Sequence, residues 1–146
     1  MELFGKEIWN EETRINTLNI IPYVANDDGV RIVGEQLYSC DFIPEKIVGF
    51  QNRNCTLNNI DNTIFNVIKG TGYNINIKNE GFRYNNFIAT YLLGPIFVRN
   101  PYLTDYFIKD IFNNLNLKYK DPNYNDTDYI AYNEYMKNFY EDEKKN

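Results

Sequence analysis

Two cysteines, Cys40 and Cys55, are the nucleophile candidates in this 146-residue chain, and it contains no histidine. A thiol attacks only as the thiolate, and a neighbouring base must make that thiolate at neutral pH. No imidazole exists to do so, and neither cysteine follows a glycine-rich elbow. Cys40, on a strand, reads as a small core hydrophobe, and Cys55 sits in a turn-rich, more exposed segment; neither shows metal spacing or a disulfide framework. Glu80, Asp105 and Asp110 are the interior carboxylates. Asp105 and Asp110 fall near the start and middle of an expected helix, where a carboxylate favours the dipole or faces water. Arg31 and Arg53 are the arginines of interest, since a guanidinium fork can hold a carboxylate bidentately, the role considered for Arg31. For Arg31 a plain surface position on a strand is the equal alternative. The sequence thus names no catalytic residue, no metal ligand and no cofactor.

Composition narrows the class further. The net charge is −5, which argues against nucleic acid or anionic membrane as a partner. Tyrosines are frequent, but lysine and arginine do not interleave with them, so stacking on bases is disfavoured. No apolar run approaches the roughly 20 residues that span a bilayer, and Met1–Gly5 leads into charge rather than an apolar leader. The expectation is a cytoplasmic protein. At this length one domain, residues 1–146, is expected to bury about 70% of its unfolded surface.

The elements that must position these groups follow from pattern. Residues 1–9 read as a helix, with Leu3, Phe4 and Ile8 on one side and Gly5 weakening it. Leu18–Ala25 reads as a short strand cut by Pro22. Asn26-Asp27-Asp28-Gly29 is a turn signal. Val30–Phe42, Ile47–Phe50 and Ile64–Ile68 read as strands, with a glycine-containing loop over residues 69–74. Residues 81–84 form a short aromatic run, Asn85-Asn86 a polar turn, and Phe87–Leu93 a buried strand that ends at Gly94-Pro95. Asn100 suits an N-cap and Pro101 the first helical position. Leu103, Phe107, Ile108 and Ile111 then recur at helical spacing to about Leu115. After a break at Asp121-Pro122-Asn123, a last helix begins near Asp126 or Thr127. Its apolar side is Tyr129, Ile130, Tyr132, Tyr135, Met136 and Phe139. Residues 141–146 form a charged tail.

Several of these runs carry a resemblance. Thr90-Tyr91-Leu92-Leu93-Gly94-Pro95, with Asn100-Pro101, Leu103 and Asp105, resembles the C-terminal signature of class I glutamine amidotransferases of the cobyric acid synthase and GatD type. That signature reads Thr-Tyr-Leu-His-Gly-Pro, and its histidine activates a cysteine. Leu93 stands in the histidine's place. Arg31-Ile32-Val33-Gly34 resembles an Arg-x-Ile-Gly strand. Gly49-Phe50-Gln51-Asn52-Arg53 resembles Gly-Phe-Glu-Asn-His, with Gln51 for the glutamate and Arg53 for the histidine. Residues 70–74 resemble Gly-x-Gly-Asn-Asn, and residues 2–6 resemble the tail of the nucleophile motif, whose cysteine would fall just before Met1.

The resemblance implies an α/β fold: part of a class I amidotransferase sheet, with short strands in the middle and helices at both ends. It implies Arg31, Asn52, Tyr91 and Gly94 as substrate-binding positions for glutamine or another carboxylate. Three functional readings stay open. One is a degenerate, non-catalytic domain used as a binding or interaction module. Another is a truncated or split glutaminase that supplies ammonia to a Mur-ligase-like partner in lipid II amidation. The third is a free-standing domain that shares only the fold. A second copy of the chain, or the Mur-ligase-like protein, is the expected partner. It would cover an apolar strand edge and the inner side of the first helix.

Overall fold

The computed structural model describes residues 1–93, 95–120 and 126–143, with side chains to 137. It is a mixed α/β structure whose chain divides into two compact units, Met1–Gly94 and Pro95–Asn146.

Met1–Gly94 is built on two long antiparallel strands. β3 (Val24–Ser39) pairs with β4 (Ile47–Leu57) from Ala25↔Leu57 to Tyr38↔Ile47. The opposite side of β3 takes β1 (Glu7–Trp9) in parallel at Val24–Asn26 and β5 (Phe65–Lys69) antiparallel at Leu37–Ser39. β2 (Arg14–Asn16) flanks β1, and β6 (Asn79–Glu80) flanks β5. A separate hairpin joins β7 (Phe82–Tyr84) to β8 (Phe87–Ala89). Its turn is the expected Asn85-Asn86, with Asn85 at φ 52°, a conformation that asparagine tolerates. Ile21, Tyr23, Ala25, Leu57, Ile60, Tyr73, Phe82, Ala89 and Tyr91 form the core.

Several expectations are corrected here. Residues 1–9 are not a helix. A single 3-10 turn, Glu2–Phe4, ends at an extended Gly5, and Glu7–Trp9 is a strand. A Cβ at Gly5 would lie 2.8 Å from the Tyr23 carbonyl oxygen, and Lys6 N–H donates to that oxygen at 2.8 Å. Pairing with β3 therefore overrides the local helical pattern. Among the described residues the α-helices lie at the C-terminal end, from Ile96 on. The middle is not made of short strands alone, because the 26–29 turn signal becomes a bulge. Gly29 takes φ 74° there, and register shifts between Asp27 and Ile32 while β3 continues.

The expected strand Phe87–Leu93 stops at Ala89. Side chains have taken the backbone donors that a ladder needs. Tyr91 N–H donates to Glu80 Oε1 at 2.7 Å, and Leu92 N–H donates to Thr90 Oγ1 at 3.1 Å. Tyr91 and Leu92 are buried. Leu93 is half-exposed and makes a lone bridge to Phe50, its N–H donating to the Phe50 carbonyl at 2.7 Å.

In Pro95–Asn146, α1 (Ile96–Arg99) precedes α2 (Pro101–Asn114), which starts with proline as expected. The Asn100 side chain does not cap α2; its Nδ2 donates back to Ile96 O at 2.7 Å. Leu103 is buried, whereas Ile111 is exposed. α3 (Thr127–Glu143) places Tyr129 and Tyr132 edge-on to Tyr102, with centroids at 4.9 and 5.4 Å. It extends to Glu143, into the stretch expected to be tail. The expected break at residues 121–123 lies outside the described residues. No helix among the described residues is long and apolar enough to cross a membrane.

Gly49 allows the close approach of Leu92 inside Met1–Gly94. A Cβ there would lie 2.6 Å from Leu92 Cδ2 and 3.1 Å from Leu92 Cβ, so rotating the leucine alone gives no relief. Gly49→Ala is expected to destabilise the chain by about 1–3 kcal/mol in urea unfolding. A change under about 0.5 kcal/mol, the range of a neutral surface substitution, would contradict the packing.

Candidate functional site

Alternation along β4 separates two faces. Gln51 and Arg53 point inward and are buried, while Asn52 and Asn54 point outward and are exposed. The inward face carries a buried polar centre. Arg53 is its hub, only 6% exposed. Its Nε donates to Gln51 Oε1 at 2.9 Å and its Nη2 to the Gly72 carbonyl at 2.5 Å. Nη1 donates to the Cys55 carbonyl. The guanidinium lies over the Tyr91 ring, 4.1 Å from its centroid. Burial lowers the Arg53 pKa, and the field of Tyr91, Glu80, Tyr38 and Glu2 pulls it back up.

The same centre grips the loop at residues 70–74. Thr71 N–H donates to Gln36 Oε1 at 2.6 Å. The Thr71 carbonyl accepts from Tyr38 Oη at 2.6 Å and from Gln51 Nε2 at 3.1 Å. Gln51 Nε2 also donates to Tyr38 Oη at 2.8 Å. Burial pushes the Tyr38 hydroxyl well above its ordinary pKa. Gly72 is required at its place, because a Cβ there would lie 2.3 Å from the carbonyl oxygens of Ile77 and Asn79.

Glu80 is fully buried. Its Oε2 accepts from Thr90 Oγ1 at 2.6 Å and its Oε1 from Tyr91 N–H. Burial raises its pKa; the bonds from Thr90, Tyr91 and Gly81, and the charge of Arg53, act in the opposite sense. Glu80 therefore holds one end of the 90–93 segment, and the Leu93–Phe50 bridge holds the other.

Of the substrate positions expected from sequence, Arg31 and Asn52 are brought together. Arg31 Nη2 donates to Asn52 Oδ1 at 3.2 Å on the exposed side of the sheet. Tyr91 is packed on the opposite side, against Arg53, so these residues do not converge on one cavity. Gly94 lies outside the described residues. Asp105 accepts from Tyr129 Oη at 2.5 Å. Burial raises the pKa of both thiols, that of Cys55 to about 11. A thiol shifted upward is protonated at neutral pH and is a poor nucleophile.

Sequence reasoning singled out Arg53 but not its surroundings, and it did not find Gln36, Tyr38 or the Glu80–Thr90–Tyr91 clasp. One signal was available. Gln51 and Arg53 are the two departures from the Gly-Phe-Glu-Asn-His pattern, and they lie two residues apart on one strand face. In the fold they bond to each other.

No family model matches the chain. It is homologous to the lipid II isoglutaminyl synthase (glutamine-hydrolyzing) subunit GatD of Staphylococcus aureus (strain N315), 31% identical over 109 residues. The match covers 74% of this chain and 44% of the relative, so the chain spans less than half of that protein's length.

The Glu80 carboxyl gives a pH test. Its pKa is higher folded than unfolded, so the folded chain binds the proton more readily between the two values. Its contribution to stability is lost as pH rises through that window and regained as pH falls. Urea unfolding of the wild type and Glu80→Gln across mildly acidic pH should show the difference moving in the wild type's favour as pH drops. A difference independent of pH would contradict the assignment.

Proposed function

We propose that this chain, a partial homologue of the glutaminase subunit GatD, is a degenerate glutamine amidotransferase-like domain acting as a binding or interaction module. In this reading its strands form the C-terminal part of a class I amidotransferase domain whose own residues do not hydrolyse glutamine. The observation that carries the proposal is Leu93. It occupies the position of the activating histidine, it has no lone pair, and the chain holds no histidine to replace it. The thiols support this, since burial keeps both protonated. Arg53 supports it as well. Its Nε, Nη1 and Nη2 all donate to protein acceptors, so the guanidinium serves the scaffold.

What such a module would bind is a carboxylate-bearing ligand such as glutamine. Arg31 and Asn52 would hold it from the exposed strand face. The protein partner would be a Mur-ligase-like enzyme or a second copy of the chain. A second reading is favoured by the homology covering 44% of GatD. The chain would be one piece of a split glutaminase that feeds ammonia to lipid II amidation, its nucleophilic cysteine supplied by another segment and the activating histidine still absent. Loss of one member of a nucleophile–base unit costs on the order of 10⁴–10⁶ in kcat, so even then activity would be low.

Glutamate release from glutamine by the purified chain tests the proposal. No release above the buffer rate is expected. Turnover near ~1 s⁻¹, an ordinary enzyme rate, would overturn it.

A further inference from the structure

A cleft of about 570 Å³ opens in Met1–Gly94, and none of its lining residues belongs to the Arg53–Glu80 centre. One wall is Ile20, Ile21, Pro22 and Tyr23; the other combines Phe82 and Tyr84 with the loop at residues 59–62. We propose that this cleft binds a small ligand with a flat apolar body and a protonated amine.

The size falls within the roughly 300–1,000 Å³ of small-molecule sites, which pair apolar and aromatic walls with a few polar groups. The floor is buried and aromatic: Ile21, Tyr23, Ile60 and Phe82 are core residues, and the Tyr23 and Phe82 rings meet edge to face at 6.5 Å. At the lip, Ile20 and Tyr84 stand 57% and 63% exposed. A flat apolar ligand would cover both and rest on the floor. The Tyr23 hydroxyl is committed elsewhere, donating to the Met1 carbonyl at 2.8 Å. Polar recognition therefore falls to Asn59, Asp61 and Asn62. Their loop is tied to the hairpin by Arg83 N–H, which donates to Asn62 O at 3.1 Å.

Charge selects the class. No lysine or arginine lines the cleft, and Asp61 is its one carboxylate. Asp61 forms no ion pair among the described residues. A protonated amine placed beside it gains an unshared partner, while a carboxylate there is repelled.

Phenethylamine and 3-phenylpropionate share one ring and tether and differ in charge. Titrated at low salt into the full chain, with backbone amides followed by NMR, phenethylamine should give saturable shifts at Ile20, Asn62 and Tyr84. The acid should bind at least about five-fold more weakly, which is the discrimination that one charge at 4 Å gives even at the dielectric of water. Asp61→Asn should bring the two affinities together. Tyr84→Ala, an exposed change that leaves the remaining spectrum in place, should weaken both. Three results would overturn the proposal: no saturable shift with either probe, equal affinity of the two for the wild type, or shifts that map away from the cleft.

Discussion

A guanidinium taken out of water costs several kcal/mol unless every donor finds an acceptor. Arg53 is the point at which this chain meets that cost, and the surrounding architecture of Met1–Gly94 follows from how it does so. Gln51, two residues away on the same strand face, accepts one bond. Two more go to the backbone carbonyls of Cys55 and Gly72. Tyr91 supplies a ring beneath the charge. Two of the acceptors, Gln51 and Cys55, lie on β4 with Arg53 and the third, Gly72, on the 70–74 loop, so with the Tyr91 ring this one side chain joins β4, the 70–74 loop and the 90–93 segment. The fully buried Glu80 provides opposite charge and fixes Tyr91 through its N–H.

This arrangement connects fold to function. In the resembled amidotransferases the Gly-Phe-Glu-Asn-His run carries an acid and an imidazole; here the same strand face carries an amide and a guanidinium bonded to each other. In this fold the two positions serve the scaffold through the Arg53–Gln51 bond. Leu93 fits the same pattern. Its backbone still bridges to Phe50, so the segment is held, but its side chain offers nothing to a thiol. The 90–93 segment is also held by Glu80 and Thr90.

The sequence made part of this legible. Pro101 starting a helix, the Asn85-Asn86 turn and a strand at Ile47–Phe50 could be read locally, because proline, asparagine and apolar alternation act within a few residues. The failures share a cause. The 1–9 helix gave way to pairing with a strand some fifteen residues away. The 26–29 turn signal became a bulge because β4 lies alongside to continue the ladder. The strand expected to reach Leu93 ended at Ala89 because Glu80 took its donor. For the site, sequence drew attention to Arg31, Arg53 and Glu80 as chemical groups. It could not tell that Arg31 faces outward beside Asn52 or that Arg53 is enclosed. It had no means of pairing Tyr38 with Thr71, which lie 33 residues apart.

A double-mutant cycle on Arg53 and Glu80 tests most directly whether one buried centre holds this scaffold. Arg53→Met leaves Glu80 without the opposing charge of Arg53, Glu80→Gln leaves Arg53 without that of Glu80, and the pair together removes both charges. Equilibrium unfolding at neutral pH should show the double variant less destabilised than the sum of the singles, with a coupling of about 1 kcal/mol or more. Additivity within about 0.3–0.5 kcal/mol would mean that the two groups act independently and that no shared polar centre organises the fold.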